Sequence, residues 1–325
     1  MVFVTGATGL LGANVVRALL AAGRDVRVGV RARSDTSALT DLALERVNVD
    51  VTDGPAALGA AFADCTAVVH VAAAVTAGRL GREQLVRVNV EGTRSICAAT
   101  ADRGARLVVV SSVAALGRLP DRPADETVPY NNHAMHDPYS DTKAQADEVV
   151  AQFVSNGLDA VTVYPTYMFG PWDVRPSSGA MILAVAQGRA RLAPPGINDF
   201  VDVRDVARSI VSALDKAPRG RGYILGGEEL RYFDAWTRIA RIVGARPPIG
   251  TAPAALVRTV GAFGGLFTRL TGREPDVNPV SAAYGTLEDY RFTSARALAE
   301  LGHAQTDLDK AIADAWQWFR DHGKA

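Results

Sequence analysis

The feature that most constrains the fold lies at the start of the chain, which reads VFVTGATGLLG from Val2 onward. A short apolar run, residues 2–5, leads directly into Gly6, Gly9 and Gly12, which are spaced three apart. A strand that turns through glycines into a helix presents unpaired backbone N–H groups and the positive end of the helix dipole, which together bind a pyrophosphate. The spacing GxxGxxG differs from the usual GxGxxG dinucleotide pattern, so a purely structural role for the glycines stays open.

The first half of the chain alternates strand-like runs with helical patterns. The strand-like runs lack strict polar and apolar alternation, which is typical of strands buried on both faces. The first helical pattern places Leu11, Val15 and Leu19 on one face and ends at Gly23. This alternation predicts a doubly wound α/β fold with a parallel sheet. The predicted strands are residues 2–5, 26–30, 46–49, 67–71, 107–110 and 160–163.

The second half is punctuated by prolines and contains helices, such as residues 233–243, that are not paired with strands. It predicts a smaller lobe that faces the substrate. Residues 200–203 and 222–225 are strand-like and are predicted to return to the main sheet. The predicted organisation is a dinucleotide-binding domain of residues 1–165, joined by 200–225, and a substrate-binding lobe of residues 166–199 and 226–325.

Charge balance and cysteine content exclude several classes of partner. Thirty-five basic residues balance thirty-five acidic ones, so the net charge attracts the chain neither to nucleic acid nor to an anionic membrane. Cys65 and Cys97 form no CxxC pair, so we expect reduced, packed thiols and a cytoplasmic location. No basic segment follows Met1, so we expect no secretory signal. The apolar region 252–270 is interrupted by arginines and glycines, and we expect no membrane span.

The end of the second predicted strand indicates which dinucleotide binds. An acidic residue there holds the ribose hydroxyls of NAD, whereas an arginine accommodates the 2′-phosphate of NADP. The segment GVRAR ends with Arg31 and Arg33, and no carboxylate occurs before Asp35. These residues predict NADP(H) as the cofactor, with NAD as the alternative if both arginines are merely solvated. Asp50, after the third strand, is a candidate contact for the adenine or an ordinary loop aspartate.

The segment DPYSDTK, residues 137–143, carries acid–base chemistry. Asp137 is a good N-cap and Pro138 a good first helical residue, so a helix is predicted to begin here. Tyr139 and Lys143 then lie four residues apart on one helix face. A tyrosine titrates at about 10 when unperturbed, and a neighbouring cation lowers its pKa. We therefore predict that Lys143 lowers the pKa of Tyr139, which exchanges a proton with a carbonyl or alcohol oxygen.

A serine at the end of the fifth predicted strand completes the candidate catalytic set. The segment VVVSSVA places Ser111 and Ser112 at the carboxyl end of a buried strand, where ligands of open α/β sheets bind. A hydroxyl there hydrogen-bonds the substrate oxygen as charge develops on it. A serine that only caps the strand end is the alternative.

Together these motifs resemble those of the extended, or atypical, short-chain dehydrogenase/reductases. They occur in the family's order over about the first two-thirds of the chain. The shared motifs are TGATGLLG at 5–12, HVAA at 70–73, NVEGT at 89–93, the serine pair at 111–112, PYSDTK at 138–143, FGP at 169–171 and FVDVRDVA at 200–207. The strand end at Val30 and Arg31, GYILGGE at 222–228 and LTGREP at 270–275 are similar to the dihydroflavonol-4-reductase-like branch, which includes the hopanoid-associated enzymes labelled sugar epimerases.

The resemblance implies a Rossmann-type NAD(P) domain, a Ser-Tyr-Lys triad and, in many members, a homodimer. Counted back from Gly117, the family's catalytic serine falls at Ser112 rather than Ser111. Asn89 matches a helix asparagine that supports the site in related enzymes, or only braces a turn here. Besides the two arginines and Asp50, the expected cofactor contacts are Gly6, Thr8, Gly9, Leu10, Leu11, Val51, Ala72, Tyr139, Lys143, Tyr164 and Thr166.

Two departures from the family pattern bear on specificity. Tyr164 and Pro165 stand where many relatives have Arg-Pro, so a contact made by that arginine is lost or replaced. Asn198 precedes Asp199 and Phe200, where nucleotide-sugar enzymes often carry an arginine. The second departure argues against a nucleotide-diphosphate substrate.

Three further groups each allow two interpretations. His133, His136 and Asp137 resemble a metal cluster, but no fourth ligand is nearby, so we predict a loop that borders the substrate cleft and no metal. Trp172 and its apolar neighbours form either a substrate wall or, as we favour, hydrophobic core. The stretch 256–270 either covers a lipophilic substrate or packs as a helix of the lobe.

The sequence thus predicts an NADPH-dependent oxidoreductase that reduces a ketone or aldehyde. In this hypothesis Tyr139 donates the proton, Lys143 lowers the tyrosine pKa and holds the ribose, and Ser112 polarises the carbonyl. The expected partner is a small-molecule carbonyl or alcohol substrate, not nucleic acid. One alternative is a nucleotide-sugar epimerase or dehydratase that retains its NAD. A second is a non-catalytic NADP-sensing protein of the same fold, which would have no need of the complete triad.

Overall fold

The computed structural model describes residues 1–75, 81–271, 275 and 277–325. The strands in this part of the chain are β1 (Val2–Thr5), β2 (Val26–Val30), β3 (Glu45–Asn48), β4 (Ala67–His70), β5 (Arg106–Val110), β6 (Ala160–Pro165), β7 (Tyr167–Phe169), β8 (Leu192–Ala193), β9 (Ile197–Asp202), β10 (Gly222–Leu225), β11 (Glu228–Arg231) and β12 (Gly250–Thr251). The α-helices are α1 (Leu10–Ala21), α2 (Pro55–Ala61), α3 (Arg82–Leu85), α4 (Gly92–Arg103), α5 (Pro138–Ser155), α6 (Ala180–Ala186), α7 (Val203–Lys216), α8 (Tyr232–Val243), α9 (Ala254–Thr271), α10 (Pro279–Tyr284), α11 (Ala295–Leu301) and α12 (Leu308–Asp321). A π-helix, Val86–Glu91, joins α3 to α4.

Within the described residues, the central sheet has seven strands in the order β3-β2-β1-β4-β5-β6-β10. Every neighbouring pair runs parallel. The chain winds outward from β1 in both directions, so the order reverses between β1 and β4. The predicted doubly wound α/β fold is confirmed. Ligands of such sheets bind beyond the carboxyl ends of the strands at this switch point.

The central strands are buried on both faces because helices cover each side of the sheet. Val2 and Val4 point to one face, where α1 and α7 pack. Phe3 points to the other face and meets Phe62, with 5.2 Å between the ring centroids. Successive side chains of a strand alternate between faces, so an uninterrupted apolar run serves both layers. This is why the strand-like runs of the sequence lacked polar alternation.

One predicted strand belongs to a different sheet. Residues 200–203 were predicted to return to the main sheet, and this is wrong: β9 pairs with β7 and β11 in a separate three-stranded sheet. The strand ends at Asp202, whose carboxylate accepts the N–H of Arg204 and caps α7. Helix α7 returns to pack on α1, and β10 joins the main sheet beside β6 as predicted.

The remaining elements build the second part of the molecule. Helices α6, α8 and α12 pack around the three-stranded sheet, and the rings of Phe169 and Phe200 stack at its centre with centroids 5.6 Å apart. Strands β8 and β12 form a two-stranded parallel sheet that leads into α9. Helix α9 packs against α10. Among the described residues, no helix combines the length and apolar character needed to cross a membrane.

Several smaller predictions are also decided by the structure. Cys65 and Cys97 are free, buried and packed in the core, as expected. Trp172 is half-buried and packs against the edge of the core, where Arg17 stacks over its ring at 3.5 Å and Trp318 packs beside it. These contacts agree with the favoured interpretation of Trp172 as a packing residue. The motif LTGREP at 270–275 lies partly outside the described residues.

Candidate active site

The glycine turn after β1 divides its three glycines between two tasks. Gly6 has φ +68°, and a Cβ there would lie 2.6 Å from the backbone nitrogen of Ala72. A Cβ on Gly12 would lie 2.1 Å from the carbonyl oxygen of Gly6. Both glycines are therefore required by the packing of the turn itself. Only Gly9 faces open space, since its nearest neighbour would be the Gly6 oxygen at 3.6 Å.

Gly9 is the N-cap of α1, and no side chain caps the helix. It is exposed, whereas Leu10 and Leu11 behind it are buried and anchor the first turn in the core. Thr8, at the edge of the turn, is half-buried. The N–H groups and the dipole of this twelve-residue helix are thus presented at the sheet's switch point. The residues present fit the pyrophosphate of a dinucleotide.

The ends of β2 and β3 place a cation beside a carboxylate. The side chain of Arg31 is 60% exposed, and its Nε lies 3.9 Å from Oδ2 of Asp50. The other carboxylate oxygen of Asp50 accepts hydrogen bonds from the backbone N–H and the hydroxyl of Thr52, both at 2.9 Å. Asp50 is therefore held by its own turn. Arg31 remains accessible to a phosphate, and Arg33 is exposed two residues further on.

Two other predicted cofactor contacts turn their side chains inward. Val51 is buried, and its methyl groups fill the space above Gly92, where a Cβ would lie 2.9 Å from Cγ2 of Val51. The N–H of Ala72 donates to Oγ1 of Thr5 at 3.2 Å. These residues shape the floor of the candidate cofactor site by packing, and what they offer a ligand is backbone.

The structure brings Ser112, Tyr139 and Lys143 together beyond the carboxyl end of β5. Asp137 caps α5 by accepting the N–H groups of Tyr139 and Ser140, so the helix begins as predicted. The Ser112 hydroxyl lies close enough to Tyr139 to lower the pKa of the tyrosine. One turn further along α5, the Lys143 Nζ donates to the carbonyl oxygen of Val110 at 2.8 Å. This bond fixes the ammonium group under the strand end.

The two adjacent serines point in different directions. Ser111 is buried and its Oγ donates to Oδ2 of Asp147 at 3.0 Å. Ser112 caps a short 3-10 turn, where its Oγ accepts the N–H of Ala114 at 3.2 Å, and its hydroxyl lies near enough to Tyr139 to lower that residue's pKa. Ser112 is therefore the serine beside Tyr139, whereas Ser111 faces Asp147 on α5. This agrees with the assignment of the family's catalytic serine to Ser112.

Burial, rather than the lysine, dominates the electrostatics of the site. It raises the pKa of Tyr139 to about 12, and the hydrogen bond from Ser112 offsets only part of this. It also lowers the pKa of Lys143 to about 8, against the opposing effect of the Asp147 carboxylate. The prediction that Lys143 lowers the pKa of Tyr139 is therefore wrong for this structure. Tyr139 holds its proton at neutral pH, as a proton donor must.

Asp147 is a functional neighbour that the sequence analysis did not identify. It follows Lys143 by four residues on α5, so the two side chains lie on one face of the helix. Burial raises the pKa of Asp147 to about 7, while Lys143 and the hydrogen bond from Ser111 act in the opposite direction. The spacing of four residues between Lys143 and Asp147 is the sequence feature from which this neighbour could have been predicted.

A second set of buried polar groups supports the site from β4 and the π-helix. His70 is enclosed between the hydroxyls of Thr5 at 2.8 Å and Thr93 at 3.1 Å, and burial lowers its pKa to about 3. Asn89 accepts the N–H of Ala74 at 2.8 Å and donates to that residue's carbonyl. These bonds fix Ala74, in the segment that directly follows β4 at the switch point. Both hydrogen-bond partners of His70 are distant from it in sequence. No local pattern therefore indicated its supporting role.

Two predicted cofactor residues lie at the junction of the sheets. Tyr164 is half-buried at the end of β6, where burial and the carboxylates of Asp147 and Glu126 raise its pKa. Thr166 is buried, and its hydroxyl donates to Oδ1 of Asp199 at 2.7 Å. Its side chain is therefore engaged in joining the central sheet to the three-stranded one.

The loop before α5 carries the two histidines considered as metal ligands. His133 packs edge-on against Tyr130 and lies 3.6 Å from Asp141, and both histidines are exposed. Asp137 is committed to the helix cap. Within the described residues, no three side chains of the metal-binding types come together. The loop is instead a rim beside the start of the catalytic helix.

Comparisons with known proteins agree with this architecture. The model of the NAD-dependent epimerase/dehydratase family matches residues 2–226. The chain is 36% identical over 324 residues to Sterol demethylase protein B of Methylococcus capsulatus, covering 98% of each chain. It is 34% identical over 331 residues to a Synechocystis sp. protein provisionally named dihydroflavonol 4-reductase, covering 99% of this chain and 95% of that one. The crystal structure of gox2253 is similar at a TM-score of 0.88 and 34% identity, covering 100% of this chain and 99% of that one.

Proposed function

The chain belongs to the NAD-dependent epimerase/dehydratase family, as its motifs predicted, and within that family we propose that it is an NADPH-dependent reductase of a ketone or aldehyde. The observation that carries the proposal is the state of Tyr139. It lies beside Ser112 and one helical turn from Lys143, and burial raises its pKa to about 12, so that the phenol keeps its proton at neutral pH. This arrangement suits a residue that gives a proton to a carbonyl oxygen.

The chain's own residues divide the work of the reaction. NADPH, when bound, supplies the hydride that adds to the carbonyl carbon. Ser112 donates a hydrogen bond to the substrate oxygen and orients it towards Tyr139, which transfers its proton to that oxygen. The product is the alcohol. Lys143 donates to the carbonyl of Val110 at 2.8 Å, and in this proposal its ammonium group would also hold the cofactor ribose.

The choice of NADPH rests on the end of β2. Arg31 is accessible, and Asp50, the nearest carboxylate, has one oxygen committed to its own turn. A 2′-phosphate would pair with the guanidinium, whereas NAD offers it only hydroxyls. The absence of a carboxylate at the strand end removes the usual partner of the NAD ribose.

A second candidate is an epimerase or dehydratase that retains NAD through oxidation and re-reduction. It is favoured by the description of the matching family model. The same triad serves this chemistry, because a retained cofactor needs the proton exchange in both directions. The two candidates differ in which cofactor binds and in whether that cofactor is consumed.

The decisive experiment is a fluorescence titration of the cofactor-stripped protein with NADPH and NADH. We expect NADPH to bind at least about tenfold more tightly, a difference of about 1.4 kcal/mol. Arg31→Ala should abolish most of this preference. Arg24→Ala is the matched control, because Arg24 is an exposed arginine paired with Asp215 just before the amino end of β2, whereas Arg31 follows the carboxyl end. It should leave both affinities unchanged.

The contrary outcomes are equally specific. Equal or tighter binding of NADH would overturn the role of Arg31 and favour the NAD-retaining enzyme. Preparations that keep their cofactor through purification, and show no net NADPH oxidation with any of a panel of ketones and aldehydes, would do the same. Stoichiometric NADPH consumption with one of these carbonyl compounds would support the reductase.

A further inference from the structure

Helix α9 exposes a stripe of large apolar side chains to solvent. Their spacing of four, three, four and three residues places them on a single face of the helix. We call this the α9 stripe, and it consists of Leu256, Val260, Phe263, Phe267 and Leu270. Phe263 is 68% exposed and Leu270 is 77% exposed. A contiguous apolar face of this kind marks an interaction site more often than scattered surface residues do.

The opposite face of α9 is already filled by the chain's own residues. A Cβ on Gly261 would lie 2.5 Å from Cβ of Ala282, and one on Gly264 would lie 2.1 Å from the carbonyl oxygen of Val277. These glycines let the segment around α10 approach closely. The orientation of α9 is therefore fixed by packing, and the α9 stripe is the face that this packing turns outward.

The sequence segment that contains α9 has an excess of arginines although the whole chain is neutral. Between Asp234 and Glu274 the sequence contains no acidic residue and has six arginines: Arg238, Arg241, Arg246, Arg258, Arg269 and Arg273. The segment between Asp173 and Asp199 likewise contains arginines and no carboxylate. Arg238 and Arg241 pair with Glu228 and Asp309, whereas Arg246 and Arg258 are exposed and enter no ion pair within the described part of the chain. The equal totals of acidic and basic residues conceal this local excess.

The two-stranded sheet that leads into α9 also exposes apolar side chains and arginines. Leu192 on β8 and Ile249 beside β12 are exposed, and the N–H of Ile249 donates to the carbonyl oxygen of Arg191 at 2.9 Å. Arg191 and Arg246 are exposed as well. Neither enters an ion pair found among the described residues. Apolar side chains and uncompensated cations thus lie together at the start of the helix.

We propose that the α9 stripe docks on an anionic phospholipid bilayer. The apolar side chains would enter the boundary between headgroups and acyl chains, and the surrounding arginines would pair with lipid phosphates. A second copy of the chain is a poorer occupant, because it would bring two arginine-rich surfaces together without carboxylates from this segment. An anionic bilayer supplies both the apolar layer and the opposite charge.

Docking at this face would bring the candidate active site close to the membrane surface. Arg258 on α9 donates from Nε to the hydroxyl of Thr286 at 3.2 Å, just beyond α10. On α10, the hydroxyl of Tyr284 lies 2.6 Å from Oγ of Ser140, in the first turn of the catalytic helix. The contacts run from the packed face of α9 to α5 through one short helix. The docking itself does not depend on which reaction the site catalyses.

The test is co-flotation of the full chain with lipid vesicles. We expect binding to vesicles of phosphatidylcholine and phosphatidylglycerol in a ~2:1 ratio, and binding at least about tenfold weaker to phosphatidylcholine alone. The double variant Phe263→Glu with Phe267→Glu should lose binding by at least about tenfold, because it puts charge into the acyl boundary. Leu298→Glu is the matched control, since Leu298 is an apolar residue 44% exposed on α11. It should bind as the unmodified chain does.

A milder variant protects the test against misfolding. Phe263→Ser removes apolar area without adding charge, and an unchanged melting temperature would show that the fold is intact. Arg191→Ala and Arg246→Ala should each weaken binding about fivefold, and added salt should weaken it further. Equal binding by the unmodified chain and the double variant would overturn the proposal. So would a failure to bind anionic vesicles combined with a dimer that the double variant converts to monomers.

Discussion

At the scale of single residues, the environment decides what each member of the triad contributes. Sequence reasoning identified Ser112, Tyr139 and Lys143 from their types and spacing, but it assigned the tuning of the tyrosine to the lysine. The pKa shifts of both residues arise mainly from burial, which favours the neutral form of each. The degree of burial depends on how α5 packs against β5, which a spacing of four residues does not reveal.

The role of Tyr139 as proton donor can be tested by removing one oxygen atom. Tyr139→Phe should reduce turnover of a carbonyl substrate by about 10²–10⁴-fold, the usual range for loss of a general acid. The NADPH dissociation constant should stay within about twofold, because the ring and its packing remain. Tyr130→Phe is the matched control: its hydroxyl contacts Asp141 on the rim, and its loss should leave turnover nearly unchanged. Turnover by Tyr139→Phe equal to that of the unmodified enzyme would contradict the mechanism.

At the scale of elements, sequence patterns were reliable for features that neighbouring residues determine. The strand β2 and the start of α5 occur where the sequence predicts them, because apolar runs, caps and prolines act on neighbouring residues. The sheet to which β9 belongs depended on partners near residues 167 and 230, and short strand-like runs do not encode that pairing. The glycine turn was recognised, although the separate tasks of its glycines emerged only from the packing.

Because the glycines have different roles, substitutions at Gly12 and Gly9 should affect different properties. The first should lower the stability of the fold, and the second should weaken cofactor binding. Gly12→Ala should reduce the free energy of unfolding by about 3 kcal/mol, because its methyl group collides with backbone atoms of Gly6 and Ala7. Gly9→Ala should cost less than about 1 kcal/mol, since its φ of −88° suits any residue and the space beside it is open. Gly9→Ala should nevertheless weaken NADPH binding by at least about tenfold, because a methyl group would stand over the helix N-terminus.

Urea unfolding and the NADPH titration separate these two effects. If Gly9→Ala bound NADPH as tightly as the unmodified chain, the N-terminus of α1 would not be the pyrophosphate site. If Gly12→Ala were as stable as the unmodified chain, the backbone of the turn would have to relax at little cost. The two variants serve as controls for each other, because the same methyl group is added three residues apart.

At the scale of the whole molecule, long-range contacts join parts that the sequence presents separately. The chain leaves the central sheet after β6, builds the three-stranded sheet and returns through α7 and β10. Whole-chain totals obscure such organisation in the same way: the net charge of zero conceals the excess of arginines in the sequence segment that contains α9. What could be predicted from the sequence was the central sheet, the glycine turn and the triad. What could not be predicted was which distant residues join the two sheets.

Asp199 is one of those joining residues. It is buried on β9, and its Oδ1 accepts both the hydroxyl of Thr166, just past β6, and the N–H of Gly227, just before β11. Burial raises its pKa to about 6, and the two hydrogen bonds offset part of that increase. Since an unfolded aspartate titrates at about 4, this group stabilises the fold fully below pH ~4. That contribution is lost as the pH rises through about 6.

The free energy of unfolding of the Asp199→Asn variant should therefore increase relative to that of the unmodified chain as the pH rises. An asparagine keeps the oxygen that accepts both hydrogen bonds but cannot ionise. Between pH ~4 and pH ~7 the difference in unfolding free energy should shift by about 2 kcal/mol in favour of the variant, as the raised pKa requires. Asp64→Asn, at a carboxylate that is 84% exposed, should show no such shift. Urea unfolding at several pH values gives both differences. If the difference in unfolding free energy between Asp199→Asn and the unmodified chain did not change with pH, the Asp199 carboxyl would have the same pKa in the folded and unfolded chain. Burial at the junction of the two sheets would then not disfavour its charged form.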